Sequence, residues 1–157
     1  MSHKKTIKTE YRDAECLEEA FREAAEAQGF RPLTGATYAQ MYNGERVPVS
    51  MRLQRNRQYD SFYYGDFGLA QGSDGVYTIV VDDLDVNRPK VQAFLNDLAQ
   101  RYTYKATLKT LAAQGYAVTE QRQADGTIKL IARPTRRTTT RQATRSTQTR
   151  QVATIRR

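Results

Sequence analysis

The last part of the chain sets the strongest limit on its fold. Residues 132–157 contain no Asp or Glu, and after Pro134 only Val152 and Ile155 are apolar side chains of any size. The segment carries eight arginines: Arg133, Arg136, Arg137, Arg141, Arg145, Arg150, Arg156 and Arg157. Such a segment buries too little apolar surface to offset the entropy of ordering it. We therefore expect a folded domain over residues 1–133 and a disordered, basic C-terminal tail over residues 134–157.

Residues 132–157 also carry the whole excess of positive charge. The chain of 157 residues has 25 Lys+Arg and 17 Asp+Glu, so without the eight arginines of residues 132–157 its basic and acidic residues are equal in number. A flexible segment with uncompensated arginines suits a polyanion, because each phosphate that it neutralises releases counterions. Three alternatives remain open for the tail: it binds nucleic acid, it binds an acidic protein surface, or it has no specific partner.

Cysteine content and apolar runs favour a protein of the cytoplasm. Cys16 is the only cysteine, which excludes an internal disulfide and suits a reducing compartment. The N-terminal residues lack the apolar stretch of a signal peptide. No apolar run approaches the ~18 residues of a membrane-spanning helix, so we expect no membrane partner.

Two segments have the pattern of helices. Asp13 is a suitable N-cap for the first, whose apolar stripe continues to the stop at Gly29. The second covers residues 87–114 and ends at Gly115, with a shorter helix that breaks near Arg101–Tyr104 as the alternative.

The other patterned segments indicate strands. They are residues 6–10, the segments "TYAQMY" and "RVPVSMRL" around Asn43-Gly44, then "YDSFYY" and "GVYTIVV", and finally "YAVTEQRQ" and "TIKLIAR" across Asp125-Gly126. Asn-Gly and Asp-Gly pairs between apolar runs are strong hairpin signals. The sequence thus predicts an α+β fold, with a mostly antiparallel sheet of about six to eight strands and two principal helices packed on one face.

Both ends of the body resemble a known family. The opening "MSHKKTIKTEYRDAECLEEAF" and the closing "QRYTYKATLKTLAAQGYAVTEQRQADGTIKLIAR" are similar to the ycf thirty-five-like proteins (hypothetical chloroplast reading frame thirty-five). The closing segment has that family's tyrosine-bearing helix, Gly-aromatic pair, strand, Asp-Gly turn and basic strand. Lys4-Lys5, the absence of tryptophan, the central residues 32–85 and the tail depart from the family pattern. The resemblance implies a small domain of unknown function, in the cytoplasm or plastid stroma, with an AAA-type ATPase as a partner and no known catalytic residue or cofactor.

Acidic residues offer one alternative chemistry. Asp82, Asp83 and Asp85 follow a predicted strand and could hold Mg²⁺, which prefers oxygen ligands. The alternative is a solvated loop that leads into the second helix, where acids are favoured near the N-terminus. The tripeptide Asp66-Phe67-Gly68 matches a kinase metal-binding motif, but the rest of the kinase signature is missing, so we treat the match as chance.

Histidine and cysteine are too scarce to suggest much catalysis. His3 is the only histidine, and one histidine with one cysteine cannot complete an ordinary zinc site. Cys16 lies early in the first helix with no identified histidine beside it, so a structural cysteine is expected. We expect no cofactor.

A second basic cluster lies in the middle of the chain. Arg52, Arg55 and Arg57 stand beside a group of aromatic residues, namely Tyr59, Phe62, Tyr63 and Tyr64. Basic and aromatic side chains together can follow a phosphate backbone and stack on bases. The alternative is a hairpin with a solvated basic edge and aromatic residues in the core.

The sequence favours a non-enzymatic binding or adaptor protein whose basic C-terminal arm binds nucleic acid or another polyanion. One alternative is an accessory subunit of an AAA-type ATPase complex that binds an acidic protein surface. The other is a small enzyme that uses the acidic loop to bind a metal.

Overall fold

A computed structural model describes residues 2–57, 60–135 and 151–155 of the chain. They belong to two compact units, Met1–Tyr102 and Thr103–Arg157, which are described separately below. The described residues form two helices and eight strands, and all strand pairs are antiparallel. The predicted α+β class is confirmed, although the strands form two sheets rather than one. Neither described helix is long and apolar enough for a membrane span.

The first unit combines a five-stranded sheet with helices on one face. Its elements are β1 (Lys4–Lys8), α1 (Ala14–Ala27), β2 (Pro32–Gln40), β3 (Arg46–Leu53), β4 (Phe67–Gln71), β5 (Tyr77–Asp82) and the first part of α2 (Pro89–Ala113). The strand order is β1-β5-β4-β3-β2. Asn43-Gly44 lies in the turn between β2 and β3, as the hairpin signal predicts.

Helix α1 begins and ends where the sequence predicts. The Asp13 side chain accepts a hydrogen bond from the Cys16 backbone N–H at 3.0 Å, which satisfies a donor that the helix itself leaves unpaired. Beyond the last turn, Gly29 has a φ of +74° and the Phe30 N–H donates to the Ala25 carbonyl at 2.8 Å. This is the glycine-terminated ending that places an aromatic residue back against the core.

All five phenylalanines of the chain pack together in this unit. They are Phe21, Phe30, Phe62, Phe67 and Phe94, and neighbouring rings have centroids 5.1–6.2 Å apart. Edge-to-face and offset ring pairs at such separations stabilise a core beyond simple area burial. The rings come from α1, α2, β4 and the segments that connect α1 to β2 and β3 to β4, so the cluster joins the helices to the sheet.

The β2–β3 hairpin curls back over the other face of this sheet. Lys4 on β1 and Glu45 in the hairpin turn form an ion pair with Nζ and Oε1 2.5 Å apart, although β1 and β2 are at opposite edges of the sheet. Gly68 permits the curl, because a Cβ there would lie only 2.6 Å from Cγ1 of Val49 and 3.1 Å from Cβ of Ala39. A second small core forms inside the curl, made of Ala39, Met41, Val49 and Val80.

The second unit contains the end of α2 and a three-stranded sheet. Its strands are β6 (Tyr116–Arg122), β7 (Ile128–Pro134) and β8 (Gln151–Ile155), in the order β6-β7-β8. The central strand β7 buries Leu130, Ile131 and Ala132. Gly115, with a φ of +83°, ends α2, and its carbonyl accepts a hydrogen bond from the Thr135 N–H at 2.8 Å.

Two strand predictions in the middle of the chain differ from the structure. The segment "YDSFYY" is not a strand, because its described residues 60–64 lie in turns and bends, with Phe62 in the core. The segment Phe67–Gln71, for which no strand was predicted, forms β4 between β3 and β5. Tertiary contacts decide the first case, since the N–H groups of Tyr63, Tyr64 and Gly65 donate to the Asp85 side chain and not to a neighbouring strand.

The tail prediction falls mostly outside the described residues. Residues 136–150, 156 and 157 are not described, so for them disorder stays a prediction. Residues 151–155, which the sequence analysis assigns to the tail, form β8, and Ala132 pairs with Gln151. The segment between β7 and β8 is therefore joined to a strand at each end.

Candidate functional site

The connection between β3 and β4 is a surface segment whose backbone donates hydrogen bonds to buried carboxylates. We call residues 54–66 the arginine–tyrosine loop, because Arg55, Arg57, Tyr63 and Tyr64 lie on it; residues 58 and 59 are not described. Within it the Asn56 N–H donates to the Phe62 carbonyl at 3.0 Å. Two buried aspartates, one at its end and one distant in sequence, fix its path.

Asp66 holds the two ends of the loop together. It is only 3 % exposed, and its carboxylate accepts hydrogen bonds from the backbone N–H groups of Gln40 and Arg55, both at 2.9 Å. The Arg52 guanidinium lies 3.5 Å from the same carboxylate. Because buried charges require such partners, Asp66 has a structural role in the loop, which agrees with treating the kinase-like tripeptide as chance.

Asp85, from the protein interior, fixes the backbone of the tyrosine-bearing part of the loop. Its fully buried carboxylate accepts hydrogen bonds from three successive N–H groups, those of Tyr63 at 3.1 Å, Tyr64 at 2.8 Å and Gly65 at 3.0 Å. It also forms an ion pair with Arg88, whose Nε lies 2.9 Å from Oδ1. Burial raises the pKa of Asp85, whereas the three N–H groups and Arg88 act in the opposite direction.

An aromatic cluster lies on the outer side of these contacts. Tyr63 and Tyr64 have ring centroids 5.0 Å apart, and Tyr42 from the β2–β3 turn lies edge-on to Tyr64 at 5.4 Å. The Arg88 guanidinium is 5.4 Å from the centroids of both Tyr63 and Tyr64. Tyr42 is 60 % exposed and Tyr63 is 37 % exposed, so the cluster presents aromatic surface to solvent. We call Tyr42, Tyr63, Tyr64 and Arg88 the tyrosine cluster.

The three arginines singled out in the sequence occupy different environments. Nη1 of Arg52 donates to the Tyr38 carbonyl at 3.0 Å, and Nη1 of Arg55 donates to the Tyr64 carbonyl at 3.2 Å. Both side chains are therefore partly committed to holding the protein together. Arg57 is exposed and has a φ of +42°, a left-handed conformation that is uncommon for residues other than glycine. Of the neighbouring aromatics, Phe62 belongs to the core and Tyr59 lies outside the described residues.

The acidic segment before α2 does not converge on a metal site. The Ser2 hydroxyl donates to the buried Asp82, and the His3 backbone N–H donates to Asp83 at 2.8 Å, while Asp85 points to the loop. The hydrogen bond from His3 is the main reason why the pKa of Asp83 is lowered. Among the described residues no group of three His, Cys, Asp or Glu is arranged to hold a metal ion. Cys16, the other reactive candidate, is buried in α1.

The tail arginines have one described member. Arg133 is exposed near the end of β7. The other seven, Arg136, Arg137, Arg141, Arg145, Arg150, Arg156 and Arg157, lie outside the described residues. Five of them, Arg136 to Arg150, belong to the segment that joins β7 to β8.

An open cavity of about 600 Å³ lies beside an irregularity in β2. The pairing of β2 with β3 shifts between Thr34 and Thr37, where Gly35 has a φ of +100°. Glu18 from α1 and Tyr77 from β5 are on its wall, and burial together with Glu18 raises the pKa of Tyr77. These polar groups do not form an acid–base pair that we can assign to a reaction.

No sequence pattern singled out Tyr42 or Arg88, or the structural roles of Asp66 and Asp85. The spacing between partners explains the omission, because Asp85 lies 20–22 residues after the N–H groups that it holds. The hairpin signal at Asn43-Gly44 was the one available indication that Tyr42 lies on an exposed turn.

These features define a small α+β protein in which two buried aspartates hold the described part of the arginine–tyrosine loop, and whose sequence ends in an arginine-rich segment. A family model described as "Protein of unknown function (DUF1257)" matches residues 18–131, which is more than half of the chain. The chain therefore belongs to this family. The match includes the loop, Asp66 and Asp85, and it ends before Arg133, the first of the eight C-terminal arginines. No curated protein and no solved structure matches the chain.

Proposed function

We propose that this protein is a non-enzymatic nucleic-acid-binding protein whose arginine-rich C-terminal segment contacts phosphates. One observation carries the proposal: the eight arginines after residue 131 have no acidic neighbour in that segment and supply the entire net charge of +8. Arginine binds phosphate bidentately and keeps its charge at every physiological pH. Contacts of this kind give affinity and fast encounter, but they do not read sequence.

The close spacing of the arginines along the chain supports the proposal. Arg133 is exposed on β7, and five more arginines follow within residues 136–150, with no acidic residue among them. A high density of positive charge attracts a polyanion. Arg57 on the arginine–tyrosine loop adds exposed positive charge on the first unit.

We also propose a more specific family and a protein partner. The resemblance of the opening and closing segments points to the ycf thirty-five-like proteins, which would add an AAA-type ATPase as a partner in the cytoplasm or plastid stroma. The same basic segment then meets an acidic surface of that partner. Nucleic acid is preferred here because the charge is carried by arginine in a segment almost free of the large apolar side chains on which protein interfaces depend.

The test compares two variants of the full chain that have the same net charge. Deleting residues 134–157 is unsuitable, because it removes β8 together with the charges. In the tail variant, glutamine replaces Arg136, Arg137, Arg141, Arg145 and Arg150. In the control variant, glutamine replaces five exposed basic residues elsewhere, namely Lys5, Lys8, Arg12, Arg31 and Arg122.

Binding of labelled single-stranded DNA, RNA and duplex DNA is measured by fluorescence anisotropy over a salt series. The logarithm of affinity should fall with the logarithm of salt by about 0.7 for each single-strand phosphate contacted. We expect the tail variant to lower that slope by about 3 to 4 and the control variant to lower it much less. Equal slopes for the two variants would refute a specific role of the tail. Absence of binding by the wild-type chain would refute the proposal and favour the acidic protein partner.

A further inference from the structure

We propose that the tyrosine cluster stacks on unpaired bases, so that the ligand is single-stranded nucleic acid rather than duplex. This inference rests on the proposed function and adds the class of nucleic acid to it. It concerns the first unit, whereas the phosphate-binding arginines belong to the second, so the two contributions are separately testable.

The exposed rings are the first observation. Tyr42 is 60 % exposed and Tyr63 is 37 % exposed, and they belong to one cluster. Aromatic rings in a cluster give several faces and edges on which successive bases can stack, whatever their sequence. In a duplex the bases are stacked on one another, so that this surface has access to them only where they are unpaired.

The fixed position of the rings is the second observation. The backbone of Tyr63 and Tyr64 is held by the buried Asp85 carboxylate, and Arg88 lies over both of their rings. Tyr42 stands in a tight turn in which the Met41 N–H donates to the Glu45 carbonyl at 2.9 Å. Side chains that are already ordered lose little conformational entropy when a ligand binds, which favours binding over a role as incidental surface residues.

Charge decides between nucleic acid and an apolar protein partner. Arg57 is exposed and Arg55 is half-buried on the same loop, and Arg88 belongs to the cluster itself. Asp66 of the loop and Asp85 before α2 are buried, and Asp60 of the loop lies 3.9 Å from Lys90. Aromatic rings among arginines are the combination that tracks a single-stranded backbone and stacks its bases.

The experiment removes the rings without removing charge. Tyr42 and Tyr63 are replaced together by leucine, which retains apolar bulk and leaves the backbone contacts of Asp85 in place. The control is Tyr38→Leu, since Tyr38 is 48 % exposed and also has an arginine, Arg46, over its ring at 4.7 Å. Thermal unfolding of each variant establishes that the fold is retained. The probes are an oligothymidylate of about 20 nucleotides and a duplex of equal length, a size that exceeds the site of one binding domain.

We expect Tyr42→Leu/Tyr63→Leu to weaken oligothymidylate binding about tenfold or more, with an unchanged salt slope, and Tyr38→Leu to have little effect. The affinity for the duplex should change little in the double variant and in Tyr38→Leu. If the double variant binds oligothymidylate as tightly as the wild type, or if Tyr38→Leu weakens it equally, the inference is overturned while the proposed function stands. If the wild-type chain binds neither probe, both are overturned.

Discussion

Replacing Asp85 with asparagine tests how the arginine–tyrosine loop is held. The substitution keeps the size of the side chain but removes the negative charge opposite Arg88, and it turns an NH₂ group toward N–H donors that now have a carboxylate acceptor. Removing one partner of a buried ion pair costs about 3–5 kcal/mol, and each N–H left without a partner about 1–3 kcal/mol. Arg88 keeps 19 % exposure and its contacts with two tyrosine rings, which reduce the cost. We expect Asp85→Asn to lower the free energy of unfolding by about 2–4 kcal/mol.

The assay is urea unfolding followed by circular dichroism, with the tyrosine signal in the near ultraviolet as a second probe of the cluster. The control is Asp83→Asn, two residues away, whose carboxylate is exposed and accepts a hydrogen bond from the His3 backbone N–H. The double variant Asp85→Asn/Arg88→Met removes both charges and should recover part of the lost stability, because no buried charge is then left alone. A loss below about 0.5 kcal/mol, the range of ordinary surface substitutions, or no recovery in the double variant, would refute this reasoning.

Three further expectations concern other parts of the fold. Gly68→Ala should destabilise the chain by about 1–3 kcal/mol, because its Cβ would lie 2.6 Å from Val49 Cγ1, and Val49→Ala should relieve part of the loss in thermal unfolding; an unchanged melting temperature would contradict the curl. In carboxyl-carbon NMR titrations Asp85 should lose its proton at a higher pH than Asp83 and Asp125, since burial raises its pKa and hydrogen bonds lower the other two. Asp83 and Asp125 therefore contribute stability that is present above their unfolded pKa and lost as pH falls through their folded pKa. The raised pKa of Asp85 has the opposite effect, since its contribution is present below its unfolded pKa and lost as pH rises through its folded pKa. A lower pKa for Asp85 than for Asp83 and Asp125 would contradict the assigned contacts. Cys16 should react with a thiol reagent in the native protein only as fast as α1 opens, because it is 5 % exposed; rapid labelling would show that it is not buried.

Local patterns predicted the elements that local chemistry determines. Asp13 and Gly29 mark the ends of α1, and Asn43-Gly44 and Asp125-Gly126 mark two hairpin turns, because capping and turn geometry depend on residues that are close in sequence. These signals were sufficient to predict the α+β class and both helices.

Long-range contacts explain what the sequence could not predict. The aromatic residues in "YDSFYY" favour a strand, but Asp85 accepts the hydrogen bonds of Tyr63, Tyr64 and Gly65 that a neighbouring strand would otherwise accept. Gly68 lowers the strand propensity of Phe67–Gln71, yet the same glycine makes room for Val49 in the curled hairpin. Strand β8 has a weak pattern of its own and is defined by its pairing with β7.

The candidate site also has one part that the sequence predicts and one part that it does not. The arginine-rich segment was found from the sequence, since the positions of charged residues along the chain can be read without a structure. The tyrosine cluster required the structure, because Tyr42, Tyr63 and Arg88 come from three separate parts of the chain.

The salt dependence of nucleic-acid binding by the full wild-type chain tests the proposed function most directly. Affinity for an oligothymidylate is measured by anisotropy between about 50 and 300 mM salt, a range over which phosphate contacts lose most of their strength. If the arginine-rich segment binds phosphates, the logarithm of affinity falls linearly with the logarithm of salt, with a slope equivalent to about five to eight phosphate contacts. No binding at the lowest salt, or an affinity that does not change with salt, would contradict the assignment of this protein as a nucleic-acid-binding protein.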